Sequence, residues 1–419
     1  MTENEYFRYL SIGLPQDIRR MKEHGDFAGA LSLLEKRLGE ETARTGRDET
    51  DPTPLMACLL AEREIIHRMA EEGEFPYDRA EAISVIRQQL PDFTEADFDE
   101  RVDSRTIRWR YEQGEKRYID SLADTIVKTE DTAPECNIWR RENMERMKRD
   151  GKRALRITVR ASLRIKDEVF TPGMKVRVDL PLPIPLEGQS EIEILSVSPV
   201  FGLPAPEYVP QRTVRWEETM ETNHEFAVEY SYVRTALYHT PDRGEDEAYR
   251  KAKAIYDDLS RMKYTFMPRY FTLEDIPGEC LRSRTGDCGI FAETFIDCCR
   301  REGVEAEWHS GFTAGPDDCG SHDWAAFRSE LYGWLPVDVS FGTSANRGGD
   351  EELRNFYFGN LDPYRMTANR EYLALFTPPK QFFRVDPYDN QSGEVETDTR
   401  GLRFGEFDTE RTLIRCEDV

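Results

Sequence analysis

The sequence predicts an α+β protein in which a helix packs on an antiparallel sheet. An all-α N-terminal domain and a small β-sandwich-like domain precede that core. Three observations predict this. Residues 1 to about 150 are highly charged and place their apolar residues at helical spacing. From about Ala154 the period becomes two: Leu155, Ile157, Val159, Ala161, Leu163 and Ile165 alternate with polar or small residues. From Cys288 a helical period returns, and alternating runs follow it.

Taken in order, Gly25 to Leu34 resembles one helix of a tetratricopeptide-like hairpin. No second copy follows at a fixed period, so a repeat array is not supported. Glu40 to Pro54 is polar and reads as a loop. Phe93 to Lys128 reads as two or three helices, packed through Trp109, Tyr111, Tyr118, Ile119 and Leu122. Beyond the alternating run, Val176–Leu180, Ile192–Val197, Thr213–Trp216 and Phe226–Tyr232 read as further strands broken by Pro and Gly. The expected division is a helical domain over 1–150, a β-sandwich-like domain over 151–240, a core over 241–370, and an extension packed on the core over 371–419.

Composition narrows the function. The 419 residues leave room for two to four domains. Lys and Arg number 57 against 81 Asp and Glu, a net charge of −24. This argues against nucleic acid or an anionic membrane as partner. No stretch approaches the length of a membrane helix. Met1 to Glu5 is polar and acidic, without a signal-peptide core, and the expected location is cytoplasmic. Cysteines stand at 58, 136, 280, 288, 298, 299, 319 and 416. With no Cys-x-x-Cys pair, neither a zinc site nor a disulfide framework is expected, and no cofactor.

Cys288 lies in Thr285-Gly286-Asp287-Cys288-Gly289, directly before the stretch carrying Ile290, Phe291, Phe295, Cys298 and Cys299. Arg300, Arg301 and Gly303 form a helix stop. Cys288 therefore starts a helix, where free N–H groups and the dipole favour a thiolate, the nucleophilic form. Its own N–H is a natural oxyanion donor. By contrast Cys298 and Cys299 read as inert small hydrophobes.

Downstream, Val304, Ala306 and Trp308 alternate as a strand, and His322–Phe327 and Trp334–Val339 read as two more. Ser329 to Gly333 has the composition of a hairpin turn. A turn centred on Glu330 or Leu331 puts His322 opposite Asp338 or one diagonal step away, within about 5 to 8 Å. Asp338 can then fix the tautomer of His322 and leave its other nitrogen for the thiol. His309 reads as structural, and Trp324 and Trp334 as core or pocket wall.

These blocks resemble the transglutaminase-like (papain-like) superfamily, which groups cross-linking transglutaminases, bacterial cysteine proteases and amidases, and peptide N-glycanases. The matching features are Gly286 before Cys288, Arg300 with Gly303, His322 with Trp324, and Gly333-Trp334 before Asp338. The resemblance covers about 245–345, with an extension to about 370 through Tyr357–Asp362 and Arg365. Asp323 departs from it, standing where a small residue is usual. The resemblance implies a catalytic triad of Cys288, His322 and Asp338 acting on an amide through an acyl-thioester. No motif marks the second oxyanion donor, and Tyr264 is a candidate. Peptide or protein is the expected substrate. Water as acceptor gives a protease or amidase, the favoured reading; an amine gives a protein-glutamine transglutaminase. A peptide-binding scaffold with a vestigial core is the remaining alternative.

Overall fold

The structure is a computed structural model. It describes residues 14–49, 51–71, 73–104, 106–112, 114–130, 137–265, 275–315, 319–372, 374–382, 384–385 and 391–419. Met1–Glu5, Cys136 and part of the loop Thr313–Gly320 lie outside the described residues. The chain forms two compact units, one of 1–133 with 263–287 and one of 134–262 with 288–419.

The first unit is mainly helical. Helices Gln16–Glu23, Phe27–Thr45 and Pro54–Ala70 share a core of Ile18, Leu34, Leu38, Met56, Leu59 and Ile66. Asp26 caps the second by accepting the Gly29 N–H at 2.9 Å, and Gly46 ends it in the left-handed region. The stretch 40–54, expected as loop, is therefore helical as far as Thr45. Phe93–Lys128 differs more from the helical reading. Trp109–Glu112 and Glu115–Tyr118 form a hairpin, turned at Gly114 with φ +86°. A glycine at positive φ between two aromatic-containing runs favours a tight β-turn over a helix. Tyr118, Ile119 and Leu122 are buried with Phe98 and Ile107, whereas Tyr111 is exposed. Segment 263–287 contributes helix Ile276–Ser283 and a parallel pairing of Lys263–Tyr264 with Thr285–Gly286.

The second unit opens with α1 (Asn137–Asp150), so this helix is separate from the helical unit that the sequence assigns it to. Its β-sandwich-like part contains β1 (Lys152–Ile165), β2 (Met174–Pro181), β3 (Gln189–Ser198), β4 (Leu203–Pro204), β5 (Thr213–Met220) and β6 (Glu225–Leu237). Next come α2 (Glu247–Leu259), α3 (Cys288–Arg301), β7 (Ala306–Thr313), β8 (Ser321–Ser329), β9 (Gly333–Val337), α4 (Val339–Arg347), α5 (Glu351–Phe356) and β10 (Arg365–Asn369). The unit ends with β11 (Glu394–Thr397) and β12 (Phe407–Asp418).

Among the described residues the strands form two four-stranded sandwich sheets, β12-β1-β6-β3 and β11-β2-β5-β4, and a third sheet, β9-β8-β7-β10. All the pairings in these sheets are antiparallel. The alternation in β1 does what it predicts. Leu155, Ile157, Val159, Leu163 and Ile165 are buried with Val178, Trp216 and Tyr230. Arg156, Arg160 and Arg164 point outward to Glu191, Glu225 and Asp167. Residues 371–419 correct the expectation of an extension on the core. β11 pairs with β2 and β12 with β1, so this segment completes both sandwich sheets. Strands separated by more than two hundred residues cannot be matched by local pattern, because their pairing rests on open edge hydrogen bonds rather than on period.

Candidate active site

Helix α3 begins at Cys288, as its sequence pattern predicts. Ile290, Phe291, Phe295 and Cys299 are its buried face. It ends where Gly303 takes φ +76° and the Val304 N–H returns to the Cys299 carbonyl at 2.8 Å. The Cys288 thiol is half-buried at the positive end of the helix. Farther along the same helix, burial pushes the Cys298 and Cys299 thiols up, consistent with inert core positions.

The β8–β9 register pairs Ala325 with Val337 and Ser329 with Gly333, which centres the hairpin on Leu331. Extended to its mouth, this register puts Asp338 across from Trp324 and one diagonal step from His322. Asp246 from the cap of α2 holds the turn. Its Oδ2 accepts the Ser329 hydroxyl at 2.5 Å and the Leu331 N–H at 3.0 Å. The strand ends at Val337 rather than continuing to Val339. Asp338 is the N-cap of α4, and its Oδ1 accepts the Phe341 N–H at 2.9 Å.

His322 Nε2 lies 2.7 Å from Asp338 Oδ2, with both side chains buried. Arg365, the first residue of β10, brings Nη1 to 2.7 Å from the same oxygen. Its Nη2 donates to Asp362 Oδ2 at 2.9 Å. Burial alone would raise the Asp338 carboxyl, but the His322 ring and the Arg365 guanidinium outweigh it. They hold the group well below the usual carboxylate range. Burial pushes the His322 imidazolium down, and the attraction of Asp338 offsets only part of this. At neutral pH the arrangement is thus an ionised Asp338 beside a neutral imidazole whose Nδ1 is the other ring nitrogen. The ring is held between aromatic neighbours, with Phe341 at 4.4 Å and Trp324 at 6.0 Å between centroids. His309 stacks on the far side of Trp324 and bonds Glu307, a structural setting. Trp334 is exposed and not part of the core, contrary to its expected place.

Consecutive strand residues project to opposite faces. His322 shares its face with Trp324, while Asp323 turns to the helix start. The Cys288 thiol donates to Asp323 Oδ2 at 3.6 Å. These contacts join His322 to Asp338 and Cys288 to Asp323; they do not bring the Cys288 thiol to the His322 ring that the sequence predicts as its partner. Gln391 Nε2 donates to Asp323 Oδ1 at 2.6 Å and to the His322 carbonyl at 3.1 Å. Tyr264 pairs with Gly286 in the short parallel ladder.

Sequence reasoning gave no role to Arg365, Asp323 or Gln391. Arg365 had one available signal, Asp362 three residues before it. Asp323 was visible only as a departure from the family pattern. Gln391, 68 residues beyond Asp323, had none.

Comparison with known proteins adds the following. The family model of the transglutaminase-like superfamily matches residues 235–339. No curated protein matches the chain. Among solved structures, one similar fold is a Cytophaga hutchinsonii protein provisionally named a cysteine protease. It is 13% identical, covers 64% of this chain and 91% of its own, and has a TM-score of 0.35. Another is the periplasmic domain of TgpA from Pseudomonas aeruginosa, 14% identical, covering 51% and 95%, with a TM-score of 0.26. That neighbour is a periplasmic domain, and the cytoplasmic expectation drawn from Met1–Glu5 is not carried further. Among the described residues no helix is long and apolar enough to cross a membrane. The block pattern around Cys288, His322 and Asp338, the helix-on-sheet arrangement that carries it, and the family match agree: residues 235–339 of this chain are similar to the core of the transglutaminase-like superfamily.

Proposed function

We propose that the protein is a thiol-dependent acyl-transfer enzyme that hydrolyses peptide or side-chain amides. Cys288 is the nucleophile, His322 the general base and then acid, and Asp338 the group that orients His322. The observation that carries this reading is the buried His322–Asp338 contact at 2.7 Å, with Arg365 and the Phe341 N–H holding the carboxylate. A carboxylate fixed in this way sets the imidazole tautomer and stabilises the imidazolium that forms during reaction.

In the first half-reaction the Cys288 proton passes to His322 and the sulfur attacks the amide carbonyl. The Cys288 N–H at the helix start stabilises the oxyanion. His322 then protonates the leaving amine, and an acyl-thioester remains on Cys288. Water, activated by His322, releases the acid. Hydrolysis is favoured over cross-linking because water is always at hand, whereas a cross-linker needs a second site that delivers an amine. The substrate is a peptide or protein.

The test is intact-mass analysis during turnover of a peptide mixture containing a primary amine tag. The expected result is a transient acyl adduct on Cys288, absent in Cys288→Ala, with free acids as products. Amine-tagged products would transfer the assignment to a transglutaminase. No adduct from any amide would overturn acyl transfer and favour a scaffold.

A further inference from the structure

Three consecutive residues at the start of β8 are gripped by the chain beyond residue 390. Arg411, on β12, donates through Nη2 to the Ser321 hydroxyl at 3.0 Å and through Nη1 to the Gln391 carbonyl at 3.1 Å. The Ser392 hydroxyl lies 3.3 Å from that of Ser321. Gln391 donates its side-chain amide to the His322 carbonyl and to Asp323 Oδ1. The other carboxylate oxygen of Asp323 receives the Cys288 thiol. A segment that completes the sandwich sheets thus also sets the direction of a carboxylate at the nucleophile.

We propose, resting on Cys288 as the nucleophile, that Asp323 and Gln391 are a positioning pair that holds the resting thiol protonated. Gln391 aims the carboxylate, and Asp323 Oδ2 takes the S–H hydrogen bond. A carboxylate in contact with sulfur favours the neutral thiol and opposes the thiolate, because two like charges at that distance repel. The helix start pulls the other way. The thiol is therefore restrained until its proton passes to His322, while Asp323 stays ionised and takes no proton.

The groups around Asp323 bear on this balance. Helix α3 presents the Cys288 thiol, β7 presents Ser310 directly across the sheet, and the C-terminal segment presents the Gln391 amide. Asp338 binds His322 on its own side, Arg365 pairs with Asp338, and Arg411 reaches Ser321 and the Gln391 backbone. Among these contacts the carboxylate against the sulfur is that of Asp323.

The experiment is alkylation of the full chain by limiting iodoacetamide between about pH 5 and about pH 9. Cys288 is quantified by peptide mass spectrometry, with Cys298 and Cys319 as internal references. In Asp323→Asn the midpoint of the Cys288 profile should fall by about one pH unit, giving roughly tenfold faster labelling near pH 6. Asp323→Glu keeps the charge and should stay near wild type. Gln391→Ala leaves Asp323 in place but no longer aimed, and should move the midpoint the same way by less. An unmoved or raised midpoint in Asp323→Asn overturns the proposal. If that variant does not fold, an unmoved Gln391→Ala profile does so. His322→Ala, run alongside, separates the two readings. If it leaves Cys288 labelling unchanged while Asp323→Asn shifts it, the acyl-transfer reading falls and the positioning pair stands. The reverse pattern removes the pair and keeps the enzyme.

Discussion

Two carboxylates flank His322, and their surroundings could hardly differ more. Asp338 is saturated. One oxygen bonds His322 and is ion-paired with Arg365, the other accepts the Phe341 N–H, and the residue starts a helix. Asp323, one residue from His322, meets a neutral amide and a thiol. The Arg365 guanidinium and the His322 hydrogen bond hold the first in its charged form and make it part of the imidazole's support. The second takes the Gln391 amide on one oxygen and the Cys288 thiol on the other, and its charge acts on the sulfur. The residue type is the same in the two cases, so the partners decide the role.

The comparison can be broken most sharply at Asp338. Asp338→Asn keeps an oxygen for the Phe341 N–H but loses the charge that fixes the tautomer. The rate constant for amide turnover should fall by about 10³- to 10⁴-fold, measured by steady-state kinetics. A fall of less than tenfold would make the two carboxylates equivalent. Arg365→Met tests the same support through stability. It strands a buried carboxylate, and a loss of about 3–5 kcal/mol is expected in denaturant unfolding. Asp323→Asn leaves Asp338 and Arg365 paired, so its loss should be clearly smaller.

The pH dependence sharpens the contrast. Asp338 is held below its unfolded value of 3.8, so its contribution is full above that value and is lost as pH falls toward its folded value. His322 is also lowered from its ordinary 6.5. Its neutral form is favoured by folding, so stability is present above 6.5 and drains away as pH falls below it. Unfolding free energy of wild type minus that of His322→Gln should therefore decline as pH drops from about 7 to about 5. A difference that grew on acidification would mean that the imidazolium is the favoured folded form. The smallest effect is expected for Gln391→Ala, about 1–2 kcal/mol by denaturant midpoint, since it removes one charge-assisted and one neutral hydrogen bond.

Much of the core was legible because its signals are local. A helix start at Cys288 needs only the glycines before it, the apolar face after it and Gly303 at its end. The diagonal relation of His322 and Asp338 needs only the turn between them. The helical reading of 109–118 failed because aromatic residues fit either period, and one glycine at positive φ decided the outcome. Arg365 and Gln391 were illegible as site residues for a different reason. Their partners lie 27 and 68 residues away, and single hydrogen bonds leave no periodic trace in a sequence. Asp323 could be seen to be unusual, but its direction depends on Gln391.

The pairing of β12 with β1 has a consequence for synthesis. The inner strand of a sandwich sheet leaves the ribosome more than two hundred residues before its neighbour does. Until Phe407–Asp418 emerges, β1 has one open edge and Gln391 has no Arg411 to anchor it. The nascent chain must therefore pass through an interval in which Cys288, His322 and Asp323 have been made while the segment that holds Ser321 to Asp323 has not.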